Sequence, residues 1–209
     1  RAITFPFPFT SYFDLRNPNG RDMEPSGGMK YAYEDQNVYV VECSRKYDTL
    51  IPFLALCLGK HDNYEHVKML VERNPKVRGL KLHSRTSRSP IKELIGSKFM
   101  DLARDYKLSL MLHTDSENMK IVTLEFDLMD FSNPMQIIEL ADKYTDVNIA
   151  GAHLGWCSSK FLDEVKKREN LFVDTSPFLF LCSSSWRAND ALELNYKNPK
   201  EALTQICSE

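Results

Sequence analysis

Six short apolar runs separated by amphipathic segments constrain this chain more than any other feature of its sequence. They cover residues 2–9 (AITFPFPF), 50–58 (LIPFLALCL), 77–83 (VRGLKLH), 108–113 (LSLMLH), 147–153 (VNIAGAH) and 171–176 (LFVDTS). Most are apolar throughout rather than alternating, which is how strands read when both faces of a parallel sheet are covered. From the second run onward the starts fall at residues 50, 77, 108, 147 and 171, at intervals of 27, 31, 39 and 24. A βα unit needs about 30 residues, so the chain reads as a βα series without internal sequence repeats. Such a series forms either a (βα)8 barrel or a doubly wound open sheet.

The intervening segments have helical spacing. Helices are expected over residues 29–46, 63–73, 90–106, 133–144, 158–169 and 198–207. Three of them open on a capping residue followed by proline: Ser89–Pro90, Asn133–Pro134 and Asn198–Pro199. Residues 16–28 (RNPNGRDMEPSGG) read as a long loop after the first strand. A formal charge of −2 gives no electrostatic reason to expect nucleic acid or an anionic membrane. No apolar run approaches the roughly 20 residues of a membrane span. The five cysteines are odd in number and include no CxxC, so reduced thiols and a cytoplasmic setting are expected. The expected partner is a small-molecule substrate, with homo-oligomerisation open.

Three of the five histidines close apolar runs: His83 ends GLKLH, His113 ends LSLMLH and His153 ends NIAGAH. In a parallel α/β sheet the C-terminal strand ends form the functional face, so these imidazoles would share one rim. Neutral imidazoles gathered there suit zinc or a similar divalent ion, although a single strand-end histidine is usually structural or solvated. His61 and His66, at a helix start and on a helix, read as surface residues. Lys81 lies inside an apolar run, where an unpaired ammonium is costly; it must pair, reach the rim or be modified. Asp115 and Asp174 are each either a structural acceptor or a group that orients a ligand or binds substrate. Gly151 and Gly155 flank His153 and serve close backbone approach or a tight turn. Arg85 and Arg88 are solvated loop residues or partners for a substrate carboxylate.

Taken in order, RGLKLHS, LSLMLHTD, NIAGAHLGW and LFVDTS resemble successive strand ends of the amidohydrolase superfamily. The branch resembled is the aminocarboxymuconate-semialdehyde decarboxylase-like one (amidohydrolase 2), over about residues 50–176. The resemblance implies a distorted (βα)8 barrel with a divalent metal, zinc foremost, at its C-terminal rim. It implies a metal-dependent hydrolase or related decarboxylase, in which metal-activated water serves cleavage of a C–N, C–O or C–C bond in a small carboxylate or amide-like substrate. It makes His113 a metal ligand, His153 a catalytic histidine and further ligand, and Lys81 a ligand that some members carboxylate. His83, Asp115, Asp174 and Arg85 are then the substrate-binding set. Two family hallmarks have no counterpart in this sequence: an HxH pair, and a late aspartate at the end of a final strand.

A (βα)8 barrel takes about 250 residues, and this chain of 209 shows six strand-like runs. The expectation is one barrel domain over residues 1–209, incomplete, with strands one and eight missing and the chain cut at both ends. A second reading is a barrel that has lost its ligands and acts as a binding or scaffold protein. A third, a doubly wound nucleotide-binding protein, needs a glycine-rich phosphate loop, and neither GxGxxG nor GxxxxGKS/T occurs.

Overall fold

Each of the six apolar runs contributes a strand shorter than the run itself. In the computed structural model these strands are β1 (Ala2–Thr4), β2 (Leu50–Leu56), β3 (Gly79–Leu82), β4 (Ser109–Leu112), β5 (Ile149–Gly151) and β6 (Leu171–Val173). The structure describes residues 2–6, 32–58, 62–87, 89–117, 129–176 and 188–191, with Asn198, Lys200, Glu201 and Thr204. The loop expected over 16–28, His61 and Arg88 lie outside the described residues, as does most of the helix expected over 198–207.

The strands lie side by side in chain order, every neighbouring pair parallel. The sheet is an incomplete (βα)8 barrel, with six strands among the described residues. Among the described residues the α-helical segments beside it are α1 (Ala32–Lys46), α2 (Tyr64–Arg73), α3 (Ser84–Ser87), α4 (Lys98–Asp105), α5 (Met129–Ser132), α6 (Met135–Lys143) and α7 (Ser159–Val165). None of the described helices is long and apolar enough to cross a membrane.

Strand alternation sorts the side chains onto two faces. Leu54, Leu56, Leu80, Leu82, Leu110, Leu112 and Ile149 form one core with helix residues such as Val67, Leu70, Phe99, Leu102, Ile137 and Leu140. The residues between them point to the inner face, where Lys81 lies in register beside Ala55 and Met111. Gly79 leaves room there for the Phe53 ring, which would come within 2.3 Å of a Cβ at that position. The core is therefore a helix-covered outer layer, and the inner face is the one that leads up to the rim.

The helix caps follow the sequence signals in part. Asn133 Oδ1 accepts from the Met135 amide at 2.9 Å, with Pro134 between them, and so opens α6. Ser158 Oγ accepts from the Phe161 amide at the start of α7. The single helix expected over residues 90–106 is instead two pieces, a 3-10 turn at Ile91–Leu94 and α4. Gly96, at φ 76°, breaks it by entering the left-handed region, and its amide donates to the Tyr144 hydroxyl at 2.7 Å. His66 is half-buried on the flank of α2 rather than at the surface, and its buried Nε2 has no hydrogen-bond partner among the described residues.

Candidate functional site

Parity along the strands determines which residues reach the rim from the inner face. Lys81 on β3 is followed two residues later by His83, Met111 on β4 by His113, and Phe172 on β6 by Asp174. The structure brings these together with His153, just beyond β5. The His83 and His113 rings stack at a centroid distance of 3.8 Å and an interplanar angle of 14°. His113 and His153 meet edge to face, with centroids 5.0 Å apart.

Hydrogen bonds run in a line through the two latter rings. His153 Nδ1 lies 2.5 Å from the Ser176 carbonyl oxygen. A carbonyl only accepts, so Nδ1 carries the proton and Nε2 presents its lone pair. That Nε2 is 3.1 Å from His113 Nδ1. On the far side, His113 Nε2 is 3.3 Å from Asp115 Oδ1. Asp115 is wholly buried and therefore stands behind His113, as the carboxyl that orients its ring. Ser132 stands against Asp115: its carbonyl accepts from the Asp115 amide at 3.0 Å, and its buried side chain lowers the Asp115 carboxyl. Arg85 Nη1 stands 3.9 Å from Asp115 Oδ1, an ion pair without hydrogen-bond contact.

Burial dominates the electrostatics here. It holds the His83 and His113 imidazoles well below the ordinary histidine range, aided at His83 by His113 and at both by Lys81. His153 is lowered for the same first reason, opposed by its bond to the Ser176 carbonyl. The rings are accordingly neutral near pH 7, the state that ligates metals. Burial raises the Asp115 carboxyl, with the Arg85 guanidinium pulling the other way. Lys81 is 3% exposed. Burial lowers its ammonium to about 8 against the pull of Asp174, and its Nζ sits 5.1 Å from the centre of the Phe5 ring.

Asp174 works through its neighbours. Its Oδ1 accepts from the His153 amide at 3.3 Å and from the Ser176 amide and hydroxyl, both at 2.9 Å. Its main-chain carbonyl accepts from the Leu154 amide at 3.0 Å. Gly151 and Gly155 are needed for packing more than for a turn alone. A Cβ would lie 2.7 Å from the Phe161 ring at Gly151 and 2.2 Å from it at Gly155. Three residues without a sequence-assigned role join the site: Ser176 at His153 Nδ1, and Thr114 and Trp156, which bond across from β4 to the segment carrying His153. Their only sequence signal is position, immediately after His113 and three residues after His153.

At the end of β2 the rim is closed by amide side chains. Asn37 of α1 both donates to and accepts from the Ala55 backbone, at 3.0 and 2.7 Å, and so replaces a strand partner. Asn63 Oδ1 accepts from the Cys57 amide at 2.9 Å. Burial, with Asp62 adding to it, pushes the Cys57 thiol up to about 12, which makes it inert near neutrality.

A parallel βα barrel of this kind belongs to the TIM-barrel class. Within that class the amidohydrolase family model matches residues 29–191, well over half of the chain, and the protein belongs to that family. No curated protein matches the sequence. Among solved structures the chain is similar to an uncharacterised TIM-barrel protein from Bordetella bronchiseptica, at 12% identity and a TM-score of 0.52. That match covers 83% of this chain and 64% of the other, and it is a likeness of fold. A 5-carboxyvanillate decarboxylase from Novosphingobium aromaticivorans, solved with manganese and 3-methoxy-4-hydroxy-5-nitrobenzoic acid, matches at 13% identity and a TM-score of 0.48, over 88% of this chain and 67% of that one. Dihydroorotase from Campylobacter jejuni matches at 15% identity and a TM-score of 0.42, over 68% and 40% respectively.

Members of this family generally use a divalent metal, and the rim can be tested for one. Two nitrogens bound to a single tetrahedral zinc at about 2.0–2.1 Å stand about 3.3 Å apart. His113 Nδ1 and His153 Nε2 are 3.1 Å apart, close to that bite. Both are neutral imidazoles; the Ser176 carbonyl already accepts from His153 Nδ1, and Asp115 Oδ1 would accept from His113 Nε2 once that ring's Nδ1 lone pair faced an ion, the arrangement that orients metal-binding histidines. Donor type and spacing therefore fit two positions of a metal site. Among the described residues no group of three His, Cys, Asp or Glu side chains is arranged to hold an ion.

Proposed function

We propose that this protein is a metal-dependent enzyme of the amidohydrolase family that acts on a small carboxylate or amide-like molecule, by hydrolysis or by non-oxidative decarboxylation. The observation that carries the reading is the pair of convergent nitrogens, His113 Nδ1 and His153 Nε2, at the C-terminal ends of adjacent strands. These two would hold the ion, zinc being the first expectation, with Lys81 as a third candidate ligand from the next strand. When bound, a divalent ion there supplies Lewis acidity and lowers the pKa of water toward neutrality.

The remaining roles belong to the chain's own side chains. Asp115 orients His113 from behind, and the Ser176 carbonyl fixes His153 with Nε2 toward the rim. His153 is the catalytic histidine through its Nε2 lone pair, which would hold the ion beside the substrate while Nδ1 keeps its proton on the Ser176 carbonyl. His83 forms one wall by stacking on His113. Arg85, half-buried near Asp115, supplies positive charge for a substrate carboxylate. Asp174 sets the backbone beneath His153.

The test is metal analysis of the purified protein beside His113→Ala and His153→Ala variants. Stoichiometric zinc or manganese that disappears in both variants supports the reading. A folded, metal-free protein that takes up no added ion contradicts it and favours a barrel that serves only for binding.

A further inference from the structure

Strand alternation alone would send His153 to the wrong side of the sheet. Ala150 lies beside Met111 on the inner face, whereas Ile149 and Gly151 lie beside Leu110 and Leu112 on the helix-facing one. Continued straight, β5 would carry residue 153 outward with Gly151, into the space filled by Phe161 and Ile137. The chain instead turns left-handed at His153 and stays so for five residues. The φ values of His153, Leu154, Gly155, Trp156 and Cys157 are 59°, 52°, 56°, 56° and 62°. A left-handed helical backbone costs roughly 1–2 kcal/mol per non-glycine residue. It persists where the surroundings over-determine it.

We propose that Thr114 and Trp156 are positioning residues that lock this turn and thereby deliver His153 Nε2 to His113 Nδ1. Thr114 directly follows His113 in the chain. Its hydroxyl donates to the Ala152 carbonyl at 2.6 Å, and its own carbonyl accepts from the Trp156 indole at 2.6 Å. One residue thus grips the turn on both sides of His153. Thr114 and Ala152 are wholly buried, so an acceptor robbed of its donor there has no water to turn to. From the other neighbour, β6, Asp174 holds the His153 and Leu154 amides. Two strand ends therefore fix one strained turn between them, and the 3.1 Å nitrogen separation is the product.

The test compares Thr114→Val, Thr114→Ser and Trp156→Phe in the full chain. The first readout is histidine-ring ¹⁵N NMR of the metal-free protein, which does not depend on the proposed metal chemistry. In the parent, His153 shows one tautomer, protonated at Nδ1. Thr114→Val and Trp156→Phe lose that single state, and Thr114→Ser keeps it. The second readout rests on the metal reading. Cobalt(II) affinity falls roughly 10–100-fold in Thr114→Val and Trp156→Phe and stays within about threefold in Thr114→Ser. Unchanged ring signals in Thr114→Val, or a serine variant as impaired as the valine one, overturns the proposal. Should Thr114→Val fail to fold, Trp156→Phe keeps an aromatic ring, drops one N–H, and decides the matter by the same two readouts. If the parent takes up no cobalt, the metal reading fails and the ring signals alone decide the role of Thr114 and Trp156.

Discussion

The two ends of the sheet solve opposite problems with the same types of residue. At the N-terminal ends of the strands, polar side chains are satisfied by the backbone or by exposed partners. Asn74 donates to the Leu70 carbonyl at 2.7 Å. Asn170 reaches the carbonyls of Ala141, Tyr144 and Val147 at 3.0 to 3.3 Å. Arg168 forks onto Asp142 at 2.6 and 2.9 Å, and Arg104 pairs with Asp146 at 2.8 Å. At the C-terminal ends, Lys81, His83, His113 and Asp115 are buried, their pKa values are displaced, and the backbone is left-handed for five residues. One end holds the barrel together at little cost, and the other gathers strain and desolvated charge.

Breaking the rim should have the larger consequences. The greatest effect is expected for His113→Ala and His153→Ala, each lowering zinc or cobalt affinity by more than about a hundredfold, beyond the loss typical of an outer partner. Isothermal titration measures this directly. Next is Gly155→Ala, which combines positive φ with a Cβ 2.2 Å from the Phe161 ring. Urea unfolding should show it destabilised by about 3 kcal/mol. Gly96→Ala shares the positive φ but meets nothing within 4 Å, so about 1 kcal/mol is expected.

Two smaller effects sharpen the contrast. The Cys57 thiol is raised in the fold from the ordinary 9.0 to about 12. Between those values the native chain keeps a proton that the unfolded chain gives up, so stability is full below pH 9 and falls as pH rises through the window. The loss should be about 1 kcal/mol by about pH 10, and Cys57→Ala should abolish that slope in urea titrations at successive pH values. At the opposite end, Arg168→Ala removes a half-buried guanidinium that forks onto the exposed Asp142 and also holds Glu164, and should cost about 1 kcal/mol, an effect that weakens with added salt.

The strands were legible because they are buried on both faces and so read as continuous apolar runs. The helix over 90–106 was not, because its apolar spacing carries on through Gly96 while the backbone does not. Lys81, His83, His113 and Asp174 could be placed from run ends and parity alone. His153 also ends a run, yet parity sends it away from the others, and only the left-handed turn returns it. That turn depends on bonds from Thr114 to Ala152 and Trp156, about forty residues along the chain. Local sequence carries no trace of such a long-range tie. Asp115 was legible as a neighbour of the histidines, but its complete burial behind His113 is a product of packing.

Everything proposed for the rim depends on His113 and His153 forming two arms of one metal site. Anomalous diffraction at the zinc edge, on crystals of the protein grown with zinc, tests this most directly. One strong peak is expected, bonded to both His113 Nδ1 and His153 Nε2 at about 2.0–2.1 Å. A fully loaded crystal with no peak between those nitrogens, or with zinc bound only elsewhere on the chain, would contradict it.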